Sequence, residues 1–177
     1  MGGRRDVGLD GGRHPGGSPA SRRYHQTVQK IIPRSARLRS ELLTIKGSLC
    51  CSNYLLTKPL SVAAAALQAA VQANHFGVMQ VHNLKETMAK KGVEFAHECL
   101  IFEVCQPQQA KKVLDQNMSV STALPCRISI FEEGGKTILA TLKPTTLLAM
   151  FNEPQLKGVA QEVEDMIVKI MQEAASS

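Results

Sequence analysis

Residues 98–105 place a large apolar side chain at every second position and then run into a proline. The segment reads Glu-Cys-Leu-Ile-Phe-Glu-Val-Cys, and Pro107 follows one residue later. In an extended chain Leu100, Phe102 and Val104 fall on one side, and Ile101, Glu103 and Cys105 on the other. The first set is therefore expected to face a core. Proline lacks a backbone donor and holds φ near the helical value, so the strand ends and a helix with Ala110, Val113 and Leu114 begins. A second edge of this kind stands at Leu124-Pro125-Cys126-Arg127, where a proline precedes an apolar run. Cys105 and Cys126 thus sit at the boundaries of secondary structure, where side chains can do chemistry.

The neighbouring segments read in the same way. Asn53–Thr57 is expected as a first strand, ended by Pro59, with Ser61 as the N-cap of a helix through Leu67, Ala70 and Val71. His75-Phe76-Gly77 closes that helix with a glycine, and Val78–His82 is a short strand. Asn83 and Glu86 make a capping pair for a helix through Lys91, stopped by Gly92. Met118–Ala123 reads as a loop or a short extended piece. Gly134-Gly135 between the runs 126–132 and 137–142 signals a hairpin. Pro144 opens a short helical turn, and Asn152 with Gln155 is expected to cap the last helix. Its apolar stripe is Leu156, Val159, Val163, Met166, Ile167 and Ile170. The order β-α-β-α-β-α-β-β-α-α implies an α+β fold: a two-layer sandwich with a mixed β-sheet and helices packed on one face.

Charge divides the chain. Residues 1–51 hold ten Lys or Arg and three Asp or Glu, a balance of +7, while the remainder holds eleven and twelve, a balance of −1. The glycine- and proline-rich start cannot bury enough apolar surface to offset its ordering entropy. Residues 1–51 are therefore expected as a disordered basic extension, with Ile31–Ile45 a weak helix, and residues 52–177 as a single domain. Arginines and serines in the extension also suit an organellar transit peptide. No run reaches the roughly 18 apolar residues that span a bilayer, and no secretory signal is present. The expected location is cytoplasmic, or organellar if the extension is a transit peptide, with cysteines reduced. The neutral folded part offers no basic patch for nucleic acid and no membrane anchor, so neither partner is expected.

Several short motifs occur together. They are Phe76-Gly77-Val78, Val81-His82-Asn83-Leu84, Lys91-Gly92-Val93, Val104-Cys105-Gln106-Pro107-Gln108-Gln109-Ala110, Leu124-Pro125-Cys126-Arg127 and Leu142-Lys143-Pro144-Thr145. As a set they resemble the domain of unknown function 302 family, from about Tyr54 to Glu173. The resemblance implies a compact α+β domain that self-associates, and it implies no established activity.

Candidate chemistry centres on the cysteines. At the start of a helix, the Cys105 thiol would have its thiolate stabilised by free N–H groups and the helix dipole. Most unpaired cysteines, by contrast, behave as small buried apolar residues. Cys126 alternates with Ile128 and Ile130 and so suits a core position. A helical crossover would make the two strands parallel and set Cys105 and Cys126 about 20 Å apart, beyond disulfide reach. Only an antiparallel arrangement would bring them together. His97 and Cys99 share a face and are weak metal candidates, with Cys126 near them if the strands are parallel and His82 as a fourth ligand. The paired spacing of zinc sites is absent, so no metal or other cofactor is expected. His82, at a strand end, either faces a ligand or bonds a neighbouring group. Glu86 is explained by capping, and Glu98 and Glu103 alternate to opposite faces, so they form no acid–base pair. No phosphate-binding glycine loop or nucleophile elbow occurs.

The leading expectation is a homodimeric, non-enzymatic module that binds a small molecule or a partner in a cleft near His82 and Cys105. The alternative is a thiol-dependent redox or sulfur-transfer protein using Cys105 with Cys126. A third is an interaction protein whose last helix docks a partner.

Overall fold

Alternating apolar residues build the sheet, and a computed structural model shows how its strands join. The structure describes residues 51–177 and the backbone strand Leu43–Thr44, all within the unit Ser40–Ser177. The strands are β1 (Leu43–Thr44), β2 (Cys51–Leu56), β3 (Gly77–Asn83), β4 (Cys99–Cys105), β5 (Cys126–Glu133) and β6 (Lys136–Leu142). The helices are α1 (Leu60–Ala73), α2 (Leu84–Ala89), α3 (Pro107–Gln116), α4 (Pro144–Ala149) and α5 (Leu156–Ser176), with a 3-10 helix at Met118–Ala123. The predicted element order and the α+β class hold. The expectations for residues 1–50, including a transit peptide and the helix Ile31–Ile45, lie outside the described residues except at Leu43–Thr44, which is strand.

Strand order is β1-β2-β6-β5-β4-β3, and every described pairing is antiparallel. This corrects the expected mixed sheet. The connection between β4 and β5 is not a crossover: α3 runs out, the 3-10 helix packs back on it, and the chain re-enters at the end it left. Asn117 makes the reversal, its side chain accepting from Ser119 N at 2.8 Å. The one long crossover is α1, which links β2 near one edge to β3 at the other.

Several ends differ from the reading of local residues. Cys51 opens β2 opposite Leu142 and does not belong to a tail. Helix α1 starts at Leu60 because the Pro59 carbonyl accepts from Val62 N and Ala63 N, so Ser61 lies inside the first turn. At its other end His75, at φ 60°, takes the left-handed position, with Phe76 N reaching back to Val71 O. Gly77 instead opens β3. Asn152 is left-handed at φ 54°, and Gln155 occupies the N-cap of α5 without a side-chain capping bond. The Asn83 cap is as expected: its side chain accepts from Glu86 N at 3.0 Å. The hairpin is also as expected, with Gly134 at φ 59° and Gly135 at φ 71°, the pair of positive values a tight two-residue turn requires.

One face of the sheet supplies the main core. Tyr54, Leu56, Leu139, Ile128, Ile130, Phe102 and Val104 pack with Leu67 and Val71 of α1 and Ile167, Ile170 and Met171 of α5. A second cluster joins Val113 of α3, Val120 of the 3-10 helix, Leu148 of α4 and Leu156 and Ala160 of α5. On the opposite face, the register lines up Ile101, Ser129, Ala140 and Asn53 in one row and Cys99, Phe131, Ile138 and Leu55 in the next. None of these belongs to either cluster.

Ile130 is fully buried at the sheet centre and Leu142 is half exposed on its outer face. Ile130→Ala is expected to cost about 2–5 kcal/mol, and Leu142→Ala less than about 0.5 kcal/mol. Urea midpoints of the two variants check both values.

Candidate functional site

The end of the sheet where β4 stops and β5 starts forms the floor of a cleft. Val104 and Cys126 are register partners on β4 and β5, so their side chains share the core face. Gln106 caps α3, its Oε1 accepting from Gln109 N at 2.6 Å, and Pro107 takes the first turn. This cap aims α3 over the sheet end, so Gln109, Ala110 and Val113 form one wall. Ala123 and Leu124 close the next side where the chain returns, and Pro144, Leu147 and Leu148 of α4 close another. Helix α4 is held to α5 through Glu164, whose carboxylate accepts from Thr145 N at 3.1 Å and from the Thr145 hydroxyl. Phe76 and Val163 complete the lining, with Cys105 and Cys126 between them. The cleft holds about 510 Å³ of empty space, its open mouth included.

Its polar groups are few. Gln106 is satisfied: its Oε1 serves the cap and its Nε2 donates to Gln108 Oε1 at 2.6 Å. Gln109 Nε2 donates to Glu162 Oε2 at 3.1 Å. A carboxylate only accepts, so this contact fixes which way the amide points. Gln109 Oε1 is buried and meets no hydrogen-bond donor among the described residues. Leaving such an acceptor unpaired costs about 1–3 kcal/mol. Among the described residues no cationic side chain lines the cleft.

Burial pushes the Cys105 thiol up, against the expected stabilisation of its thiolate at the helix start. The Cys126 thiol is pushed up to about 11, by burial first and then by Cys105 nearby. Desolvation outweighs the helix end at both sulfurs and acts more strongly at Cys126, the more deeply enclosed of the two. The antiparallel register brings Cys105 and Cys126 into one cleft, where a parallel crossover would have separated them. Both are free thiols.

His82 lies elsewhere. It pairs with Ile101, four residues along β4 from Cys105, and does not line the cleft. Its Nε2 stands 3.3 Å from Glu103 Oε1, and the same oxygen lies 3.4 Å from an Arg127 guanidinium nitrogen. The three side chains form a row across β3, β4 and β5 on the face away from the main core. His97 stacks edge-on against Phe95, with ring centroids 5.5 Å apart. Cys99 pairs with Phe131 at the end of β4 away from Cys126, so the parallel arrangement that would bring Cys126 to His97 and Cys99 does not occur. Among the described residues no group of three His, Cys, Asp or Glu is placed to hold a metal ion. Beside Glu86, Lys90 at 2.7 Å holds the carboxyl below its ordinary range, which makes it part of a surface ion pair. Gln109 escaped the sequence reading. Its sequence signal is the pattern Gln106-Pro107-Gln108-Gln109, which marks a capped helix start but not which group is buried.

A raised thiol pKa means the folded state keeps a proton that the unfolded state releases. The stabilising effect of Cys126 is fully present below its ordinary value of 9.0 and is lost as pH rises to about 11. Stability should fall by on the order of 2 kcal/mol across that window, and Cys126→Ala should remove that part of the fall. Urea titrations at both pH values check it. Alkylation at pH 7 should be slower at both thiols than at a peptide cysteine.

The model for a domain of unknown function, DUF302, matches residues 53–174. A crystal structure of an uncharacterized conserved DUF302 protein from Bacillus stearothermophilus is similar, with a TM-score of 0.69 and 28% sequence identity. The match covers 72% of this chain and 99% of that one. No curated protein matches the chain. With a single described sheet-and-helix domain whose matched residues span β2 to α5, the chain belongs to the DUF302 family.

Proposed function

We propose that this domain is a small-ligand-binding module and that its ligand sits in the cleft between α3, α4, α5 and the end of the sheet. One observation carries the reading: Gln109, whose Oε1 is a buried acceptor without a donor among the described residues, lines a cleft otherwise made of apolar groups, two thiols and the already bonded Gln106. Apolar clefts with one or two fixed polar groups are the usual form of small-molecule sites. The centre of the proposed site is therefore Cys105, Gln109 and Cys126, without His82. The redox or sulfur-transfer alternative needs an accessible thiolate, and burial disfavours one at both sulfurs. No helix among the described residues is long and apolar enough to cross a membrane.

Self-association is the second part of the reading, with a copy of the chain as the partner. It is supported by the outer sheet face, where Ile101, Phe131 and Leu55 stand partly exposed outside both cores. The charges beside them, Glu103 and Arg127, already balance each other. A face matched in sign suits its own copy better than an acidic or basic partner.

Indole, titrated into the full chain, tests the cleft. Saturable amide shifts at Gln109, Cys126 and Leu148 are expected, and Ala123→Phe should suppress them. Shifts scattered over the surface, or unaffected by the filled cleft, would overturn the reading. Light scattering should give a dimer mass and Phe131→Glu a monomer mass; a monomeric parent protein would remove the second part.

A further inference from the structure

The cleft carries more than the presence of a ligand. Its polar inventory constrains the ligand's chemistry. Gln106 is fully engaged in the cap and in its bond to Gln108. The Gln109 amide nitrogen is committed to Glu162, which also lies 3.6 Å from Lys112 at the surface. Among the described side chains of the lining, the one strong hydrogen-bonding group left unpaired is the buried Gln109 carbonyl oxygen, and that group only accepts. Among the described residues no Lys, Arg or His lines the cleft, and Glu162 bonds Gln109 from the neighbouring helix.

A carboxylate or phosphate entering here would lose its water and meet an acceptor instead of a donor. An ammonium would meet one acceptor but would bury its charge without a counter-ion among the lining groups. A neutral hydroxyl or N–H satisfies Gln109 Oε1 and leaves its apolar body against Val113, Leu148 and Phe76. Given a cleft that binds a small ligand, as proposed above, we infer that it selects neutral apolar molecules carrying one hydrogen-bond donor, such as alcohols, phenols or indoles, and rejects anions of the same shape. The selectivity resides in Gln109, whose orientation Glu162 sets from the neighbouring helix.

Three probes of matched shape test this: 4-propylphenol, 4-propylanisole and 4-propylbenzoate, each titrated at pH 7 into the full chain and followed by amide shifts at Gln109 and Cys126. The phenol should bind about tenfold or more tightly than the anisole, the difference left by one unpaired buried acceptor. The benzoate should be the weakest. Gln109→Leu should bring phenol and anisole within about twofold of each other, because the acceptor is gone. Equal affinities for all three probes in the parent protein, or a preference for the benzoate, would overturn the selectivity while leaving a ligand cleft in place. No saturable shift with any of the three would remove the cleft reading itself. The ranking in the parent protein decides the matter even if the Gln109 variant does not fold.

Discussion

The antiparallel pairing of β4 with β5 is the constraint on which the rest of the molecule depends. It requires the chain leaving at Cys105 to return at Cys126 on the same end of the sheet. Everything between must go out and come back, which a capped helix followed by a reversed 3-10 turn achieves. The cleft is the space that this excursion leaves between itself, α4 and α5. With a parallel crossover the same residues would form a covering helix, and the two thiols would stand at opposite ends of the sheet.

Two packed layers hold that end in place. The β4–β5 pair lies inside the sheet, with Ile128, Ile130, Phe102 and Val104 under α1 and α5. Burial of such side chains stabilises by about 1.5–3 kcal/mol each before entropy is counted, so the floor of the cleft is rigid. The walls belong to the smaller cluster of Val113, Val120, Leu148 and Leu156. Fixed polar contacts locate them: Asn117 Nδ2 reaches Glu153 Oε1 at 3.2 Å, and Thr145 bonds Glu164. A firm floor and pinned walls keep one carboxamide oxygen in an apolar setting, which is a condition for selective binding. The same burial disfavours the thiolate at both sulfurs, most strongly at Cys126.

Much of this was legible in the residues. Alternation at Leu100, Phe102 and Val104, the stripe from Leu156 to Ile170, the Asn83 cap and the paired glycines are local patterns, and local physics decides them. Strand direction was hidden because it turns on a reversal made by one short side-chain bond at Asn117, in a segment with no periodicity. The missed caps share a cause. Ser61 and Asn152 are good cap residues by type, but the Pro59 carbonyl and a left-handed turn took over those ends. Cys105 was placed correctly at a strand end, but its environment depends on walls contributed by α4 and α5, far along the chain. Nothing in the residues around Gln109 marks its carbonyl oxygen as buried. Its orientation depends on Glu162, 53 residues away, which no local pattern reveals.

Interstrand proton contacts between β4 and β5, measured by nuclear Overhauser spectroscopy on the labelled full chain, reach the central claim most directly. Antiparallel pairing predicts cross-strand contacts for Val104 with Cys126, Phe102 with Ile128 and Leu100 with Ile130. Contacts that instead join Cys99 with Cys126 and Cys105 with Glu132 would show parallel strands, and the cleft with its two thiols and buried glutamine oxygen would not exist.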